Sequence, residues 1–278
     1  MRLFCKPWRA EEQHGDNAFM TTPYQPTASR ADFLQAFDTL LQPGRFKDYG
    51  PNGLQVEGRA EIRKIVSGVT ASRALIEAAI GAQADAIFVH HGLFWRGQSG
   101  CVTGWMKQRL ALLLAHDISL LAYHLPLDAH PVLGNNAQLG LHLELTTTGR
   151  FGEQDLGWLG ERADGSSFAQ AADLSNHLEK ALNRPVVSVS SAFCAIKKIA
   201  WCSGGAQGYF EAAIAAGADA FITGEISEPQ AHYAREMGVA YFACGHHATE
   251  RYGAPAVAAN VAAQFGVLHE FIDIDNPA

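Results

Sequence analysis

LIEAAIGAQADAIFVHH, residues 75–91, is followed at a constant offset of 134 by YFEAAIAAGADAFITGE, residues 209–225, and eight of the seventeen aligned positions are identical. Glu77 and Glu211, Ile80 and Ile214, and Asp85 and Asp219 stand in register, and Lys64-Ile65 with Lys198-Ile199 carries the match upstream. Alanine-rich helices can align through composition alone. A shared Asp-Ala step and a shared upstream pair point instead to an internal duplication. In each copy a helical stretch runs into a short apolar segment, which reads as a helix feeding a buried strand.

The same grammar extends outward. Ile62–Val69, Ala86–His90 and Ile118–Tyr123 read as strands, with helices over Ser72–Ile80 and Trp105–His116 between them. Later come strands Lys198–Cys202, Ala220–Thr223 and Val239–Ala243, separated by helices Tyr209–Ala216 and Glu228–Met237, then a helix Ala254–Phe265 and a strand Val267–Ile274. Strands joined through helices imply β-α-β crossovers, so the expectation is an α/β fold of two similar lobes with mainly parallel sheets. Ser29 is an N-cap for a first helix with Phe33, Phe37 and Leu41 on one face, stopped by Pro43-Gly44. The expected organisation is a flexible tail 1–28, a first lobe 29–150, an inserted segment 151–196 and a second lobe 197–278. The insert carries a helix Ser167–Leu182 and a strand Val186–Val189. Met20 is an alternative start.

Composition narrows the function classes. At 278 residues and 30.0 kDa, 48% apolar and 18% charged, the chain has material for two modest domains and is not a disordered chain. The longest near-apolar run, about Leu110–Ala115, is far short of the roughly 20 residues a membrane span needs. Arg2, Lys6, Arg9, Glu11 and Glu12 stand where a secretory signal would have its apolar region. Five cysteines without a C-x-x-C pair fit a reduced, cytoplasmic protein. A net charge of −7 argues against direct nucleic-acid binding.

Twelve histidines are unevenly placed, six of them between His90 and His142. Ligands of open parallel sheets bind at the C-terminal ends of strands. His90-His91, His124 to Asp128, and His246 to Glu250 all sit at such ends, and the last two share the pattern His-x-x-x-carboxylate at an offset of 122. Several imidazoles with carboxylates in one cleft make a metal site. Neutral imidazole suits zinc, iron, nickel or manganese, a carboxylate can bridge two ions, and mixed nitrogen and oxygen ligation leaves positions open for water. The competing reading is a histidine-rich polar cleft without metal. His142, His177 and His269 read as surface or hydrogen-bonded core residues. Neighbours on a strand face opposite ways, so His90 and His91 share a site only if the chain turns, for which Gly92 is suited. A helical turn would put His246 and Glu250 on one face and pair His247 with Arg251. Gly204-Gly205-Ala-Gln-Gly208 reads first as a tight turn with close backbone approach and second as an anion cradle. Asn52, Gln55 and Gly134-Asn135-Asn136 are explained by turn chemistry or by contact with a substrate. No G-x-S-x-G elbow and no activated cysteine is present, which argues against covalent catalysis.

PNGLQVEG (51–58), GVTAS (68–72), VHHGLFW (89–95), HLPLDAHPVLGNNAQL (124–139), AFITGE (220–225) and GHHATERYG (245–253) occur in this order. The chain thereby resembles the NGG-interacting-factor-three-like family, also known as type-2 homologs of GTP cyclohydrolase I, over residues 29–278. No ligand position departs from the family's motifs. The resemblance implies two intertwined lobes, a dinuclear centre in the cleft between them, and a toroidal homo-hexamer. Carried over, the metal ligands fall on His90, His91, Asp128, His246 and Glu250, with His124 orienting a ligand or bound water. Two divalent ions per subunit and a metal-activated water would make a hydrolase acting on a small molecule or nucleotide, with His124 or His247 as proton shuttle. The alternative is a non-enzymatic toroidal scaffold or metal-handling protein with a role in stress, DNA repair or transcription.

Overall fold

The computed structural model describes residues 26–190 and 195–278. Most of the expected tail, Met20 included, lies outside the described residues. Apolar runs that are buried along their whole length form the centre of each sheet, as parallel strands covered on both faces require. In the first sheet the order is Leu268–Phe271, Lys64–Thr70, Ala86–His91, Ser119–Ala122 and Gly53–Val56. The first four run parallel, and only Gly53–Val56 pairs antiparallel. The second sheet has the order Leu145–Phe151, Gly157–Arg162, Ile199–Trp201, Ala220–Thr223, Ala240–Ala243 and Val187–Val189. There only the three central strands are parallel, and both flanks are antiparallel.

The aligned segments make the same contacts in both lobes. Asp85 Oδ2 accepts from the amides of Arg63 (2.7 Å) and Lys64 (3.1 Å), and Asp219 Oδ2 accepts from those of Lys197 (2.9 Å) and Lys198 (2.8 Å). Strand register repeats as well: Ile65 faces Ala86 as Ile199 faces Ala220. Each aspartate caps the start of its first strand from the start of the second, which is why the Asp-Ala step persists where surrounding residues differ.

The lobes are intertwined, and chain order does not divide them. Helix Gly253–Phe265 buries Val257, Ala258 and Val261 with Phe33, Phe37, Phe88 and Tyr123 in the core of the first sheet, and Leu268–Phe271 then completes that sheet. Conversely Leu145–Phe151 leaves the first lobe to open the second sheet. The expected boundaries at 150 and 197 therefore fall inside shared structure. Segment 151–196 supplies Gly157–Arg162, Val187–Val189 and the helix Ala171–Leu182, whose Leu174, Leu178 and Leu182 are buried against the second sheet. Locally the reading from caps holds: the Ser29 hydroxyl accepts from the Asp32 amide (3.0 Å), and the helix Arg30–Leu41 ends at left-handed Gln42 before Pro43. Among the described residues, no helix is long and apolar enough to cross a membrane.

Candidate metal centre

Three strand ends and two short helices meet between the lobes. His90 and His91 close the strand Ala86–His91; Asp128 lies on the helix Leu125–Ala129 after the strand Ser119–Ala122; His246 and Glu250 lie on the helix His246–Glu250 after Ala240–Ala243. The two adjacent histidines reach one place without a left-handed turn, because each ring bends past the end of the sheet. His90 Nδ1 donates to the Tyr123 carbonyl (3.2 Å) on one side, and His91 Nδ1 lies 3.0 Å from the Thr70 hydroxyl on the other. Gly92 matters through close approach: the Gln55 amide packs where its Cβ would stand, and Gln55 Oε1 accepts from the Leu93 amide (2.7 Å).

All four imidazoles at this place are tethered alike. His124 Nδ1 meets Asp48 Oδ1 at 2.6 Å, and His246 Nδ1 meets Glu225 Oε1 at 2.7 Å. With Nδ1 engaged in every ring, Nε2 is left for the cleft, the orientation that metal-binding histidines need. His90 Nε2 lies 3.3 Å from Glu250 Oε1 and 3.6 Å from Asp128 Oδ1. Glu250 Oε2 lies 3.3 Å from His91 Nε2 and 3.2 Å from His246 Nε2. Two atoms ligating one zinc-like ion at about 2.1 Å with tetrahedral angles are about 3.4 Å apart, so these spacings are those of neighbouring ligands. His90 Nε2 and Glu250 Oε2 are nonetheless buried without a hydrogen-bond partner, an arrangement that costs about 1–3 kcal/mol per group unless something else satisfies them.

Ligand atoms of His90, Asp128 and Glu250 lie within 4.8 Å of one another, as do those of His91, His246 and Glu250, and those of His90, His91 and His124. The buried His/Asp/Glu cluster could thus hold metal ions. Glu250 belongs to two of the triads and offers a different oxygen to each side.

Electrostatics around the cluster follow from burial and from the two carboxylates. Burial pulls the His90 pKa down, but Asp128 and then Glu250 outweigh it and push it up to about 9. At His246, burial is likewise overcome by Glu250 and Glu225, again giving about 9. His91, buried among the other imidazoles, is pulled down to about 3 despite Glu250. Burial raises Asp128; Glu250 is held well below the carboxylate range because the imidazoles, His90 foremost, outweigh its burial. Asp48 is also pushed up by burial, yet the bonds from His124 and Asn52 bring it to about 2.

Residues with no spacing signal support the cluster. Asp48 Oδ2 accepts from Asn52 Nδ2 (2.9 Å) and from the Leu125 amide (2.9 Å), while Asn52 Oδ1 accepts from the His124 amide (2.7 Å). Asn52 therefore braces the His124 loop. Buried Asn135 donates to Asp128 Oδ1 (2.9 Å) and accepts from the Gly253 amide, and Asn136 Oδ1 accepts from the Ser203 amide, joining the lobes behind Asp128. Gly204, left-handed at φ 68, has no room for a Cβ beside Glu250 Oε1, so the close-approach reading of that glycine loop applies. His247 is not brought to the cluster. One residue along a helix turns the side chain by about 100°, and His247 Nε2 instead meets Asp273 Oδ1 at 2.8 Å, with Arg251 also 3.7 Å from that carboxylate. The expected His247–Arg251 pair and the His247 shuttle are both displaced by this contact. His142, His177 and His269 hydrogen-bond elsewhere, to the Ala181 carbonyl, the Leu143 carbonyl and the Ser67 hydroxyl.

The cluster opens into a cleft of about 390 Å³, walled by Tyr49, Trp95, His124 and Tyr209 and floored by Asp128, His246 and Glu250. That volume suits a small-molecule ligand. Asp48, Thr70 and the three aromatic walls have no role assigned by the sequence, although Thr70 and Trp95 fall within GVTAS and VHHGLFW.

Comparison with known proteins adds three findings. The family model described as Duf34/NIF3 (NGG1p interacting factor 3) matches residues 28–277. A protein of Neisseria meningitidis serogroup A, named GTP cyclohydrolase 1 type 2 homolog, is 51% identical over 252 residues, 90% of this chain and 99% of that protein. Among solved structures, the protein ybgI, titled as of unknown function, superposes with TM-score 0.86 at 42% identity, covering 90% of this chain and 100% of its own. A Thermus thermophilus protein does so with TM-score 0.79 at 30% identity over 90% of this chain and 100% of its own.

Proposed function

The chain belongs to the Duf34/NIF3 family, and from that premise we propose that it is a metal-dependent hydrolase with a dinuclear centre. His90, Asp128 and Glu250 would hold one ion, and His91, His246 and Glu250 the other. The observation that carries this reading is Glu250: a fully buried carboxylate with one oxygen toward His90 and the other toward His91 and His246. Ions bound there would supply Lewis-acid polarisation of the scissile bond and a water that ionises near neutral pH.

The chain's own groups would do the rest. Asp48 fixes the His124 ring and leaves its Nε2 for the cleft, where it suits proton delivery to a leaving group. Glu225, Thr70 and the Tyr123 carbonyl hold the remaining rings, so little reorganisation accompanies the reaction. Tyr49, Trp95 and Tyr209 offer aromatic faces to a flat substrate and exclude water beside it. The name borne by the curated relatives makes GTP the first substrate to try; under that reading, water adds to the imidazole-ring carbon of guanine. A six-membered ring of subunits belongs to the same proposal and is read by sedimentation.

Elemental analysis and turnover test the reading together. Purified protein should carry two equivalents of a divalent metal per chain, and a His91→Ala, Glu250→Ala double variant should lose metal and turnover. A double variant that kept both would refute the assignment.

A further inference from the structure

Glu153–Asp155 lies between the metal cleft and a second cavity of about 470 Å³; Gln154 lines both. The wall is strained. Gly152 (φ 77), Gln154 (φ 53) and Asp155 (φ 56) are all left-handed, an arrangement that non-glycine residues keep only where surrounding contacts fix it and that clusters at functional sites. The contacts are present: Gln154 Oε1 accepts from the Lys47 amide (2.8 Å), and its Nε2 donates to the Lys47 carbonyl (3.3 Å).

Arg45 and Arg150 line the second cavity, beside Ala129, the neighbour of Asp128. Arg150 is set in place before any ligand arrives. Its guanidinium carbon lies 3.6 Å from the centre of the Trp158 ring, and Nη1 donates to the carbonyls of Ala129 and Asp155, both at 3.3 Å. Its Nε and Nη2 have no protein acceptor among the described residues. Arg45 makes a single side-chain bond, to Gln42 Oε1 (3.1 Å). Neither guanidinium is in an ion pair among the described residues, and the one carboxylate on the lining, Asp155, leaves the cavity net positive in a chain of net charge −7. Guanidinium forks in a fixed plane match tetrahedral oxyanions, to which they donate in pairs.

We propose that this cavity is a phosphoryl subsite, seating the anionic arm of a substrate whose reacting bond lies over the imidazole cluster. Only the second clause rests on the hydrolase reading; anion binding requires no turnover. The strained wall then has a task, since Gln154 separates the two ends of one ligand at a fixed distance.

Titration calorimetry with inorganic pyrophosphate, on the full chain both metal-loaded and metal-depleted, tests it. Binding should persist in the metal-depleted protein, weaken with added salt, and fall about tenfold in Arg45→Gln and in Arg150→Gln. Lys107→Gln, on the exposed outer helix, should change nothing. Arg45 is exposed and makes one bond, so its variant decides the matter even if Arg150→Gln, which loses a packed ring contact, does not fold. Binding that vanishes with the metal, or that Arg45→Gln leaves within twofold of the parent, overturns the subsite. Failure of the hydrolase reading looks different: pyrophosphate still binds with the same arginine dependence, and no turnover is found. If the subsite alone fails, Arg45→Gln leaves KM for phosphorylated and unphosphorylated substrates equally unaffected.

Discussion

Loading the centre with metal should release protons, and the number follows from the two raised histidines. His90 and His246 each have a pKa of about 9 in the metal-free protein, so at pH 7 each is about 99% protonated. A ligating imidazole must be neutral. Displacing a proton two units below its pKa costs about 3 kcal/mol, and the pair therefore offsets metal binding by several kcal/mol at pH 7. His91, pulled to about 3, is already neutral and contributes nothing. Affinity should rise by up to about a hundredfold per pH unit from 7 and level off above about 9. The two histidines share Glu250 and titrate as a set, which spreads the steps without changing their sum. Calorimetric titration of metal into depleted protein, in buffers of different ionisation enthalpy, counts the protons. The same shifts carry a stability sign. A histidine raised from 6.5 to about 9 on folding stabilises the metal-free fold fully below 6.5, and that contribution is lost as pH climbs through 9. Metal-depleted protein should thus lose thermal stability from pH 7 to 10 while the loaded form does not. A release of under half a proton at pH 7, with affinity flat from 7 to 9, would refute the electrostatic picture of the cluster.

Four substitutions test other parts of the reasoning. Asp48→Ala strands the buried donors of Asn52 and Leu125 and the His124 ring, and should cost about 3–5 kcal/mol in chemical denaturation; a loss under 1 kcal/mol would contradict the brace assigned to it. Asp219→Ala and Asp85→Ala each remove the acceptor for two strand amides and should destabilise by about 2–3 kcal/mol, Asp85 more because it also meets Arg59 at 2.8 Å; a neutral Asp219→Ala would end the equivalence of the two copies. Gly204→Ala forces a Cβ onto Glu250 Oε1 at a left-handed position, so metal affinity should drop tenfold or more, read by competition with a chelator, and unchanged affinity would show that Glu250 does not need that space.

The apolar runs and strand-end histidines were legible because their physics is local. A parallel strand buried on both faces must read as IFV or AFIT, and a side chain four residues on along a helical turn must share its partner's face, which places Glu250 with His246. The exchange of elements between lobes was legible only through the family resemblance, which implied intertwined lobes, and not from the residues that make it. Leu268–Phe271 pairs with Lys64–Ser67 across some two hundred positions, and nothing in either segment names the other. Asp48 was hidden for the same reason. Its contact with His124 spans 76 positions, and an acid in a Pro-Gly-Asn loop looks like turn chemistry. The helical turn also turned His247 away from His246 and toward Arg251, as its spacing implies, but the acceptor they meet there, Asp273, lies more than twenty positions on and had no signal.

The exchange of elements bears directly on the site. Glu250 is carried by a helix of five residues, His246–Glu250, too short to hold its own conformation. What fixes it is the chain on either side: it follows a central strand of the second sheet and leads at once into Gly253–Phe265, which is buried in the core of the first. Asn135, from the first half of the chain, closes the loop by bonding both Asp128 and the Gly253 amide. A lobe boundary at this point would have left the shared carboxylate on a hinge. Because the chain crosses between sheets there, any motion that opened the lobes would have to unseat Val257 and Val261 from a packed core, at about 1.5–3 kcal/mol for each side chain exposed. The geometry of Glu250 is therefore protected by burial of side chains well beyond its own helix, on Gly253–Phe265. Polar replacement of Val257, in the core of the first sheet, should loosen metal binding along with the fold, whereas an equally destabilising change at Leu178, in the core of the second sheet away from this crossing, should not at matched stability.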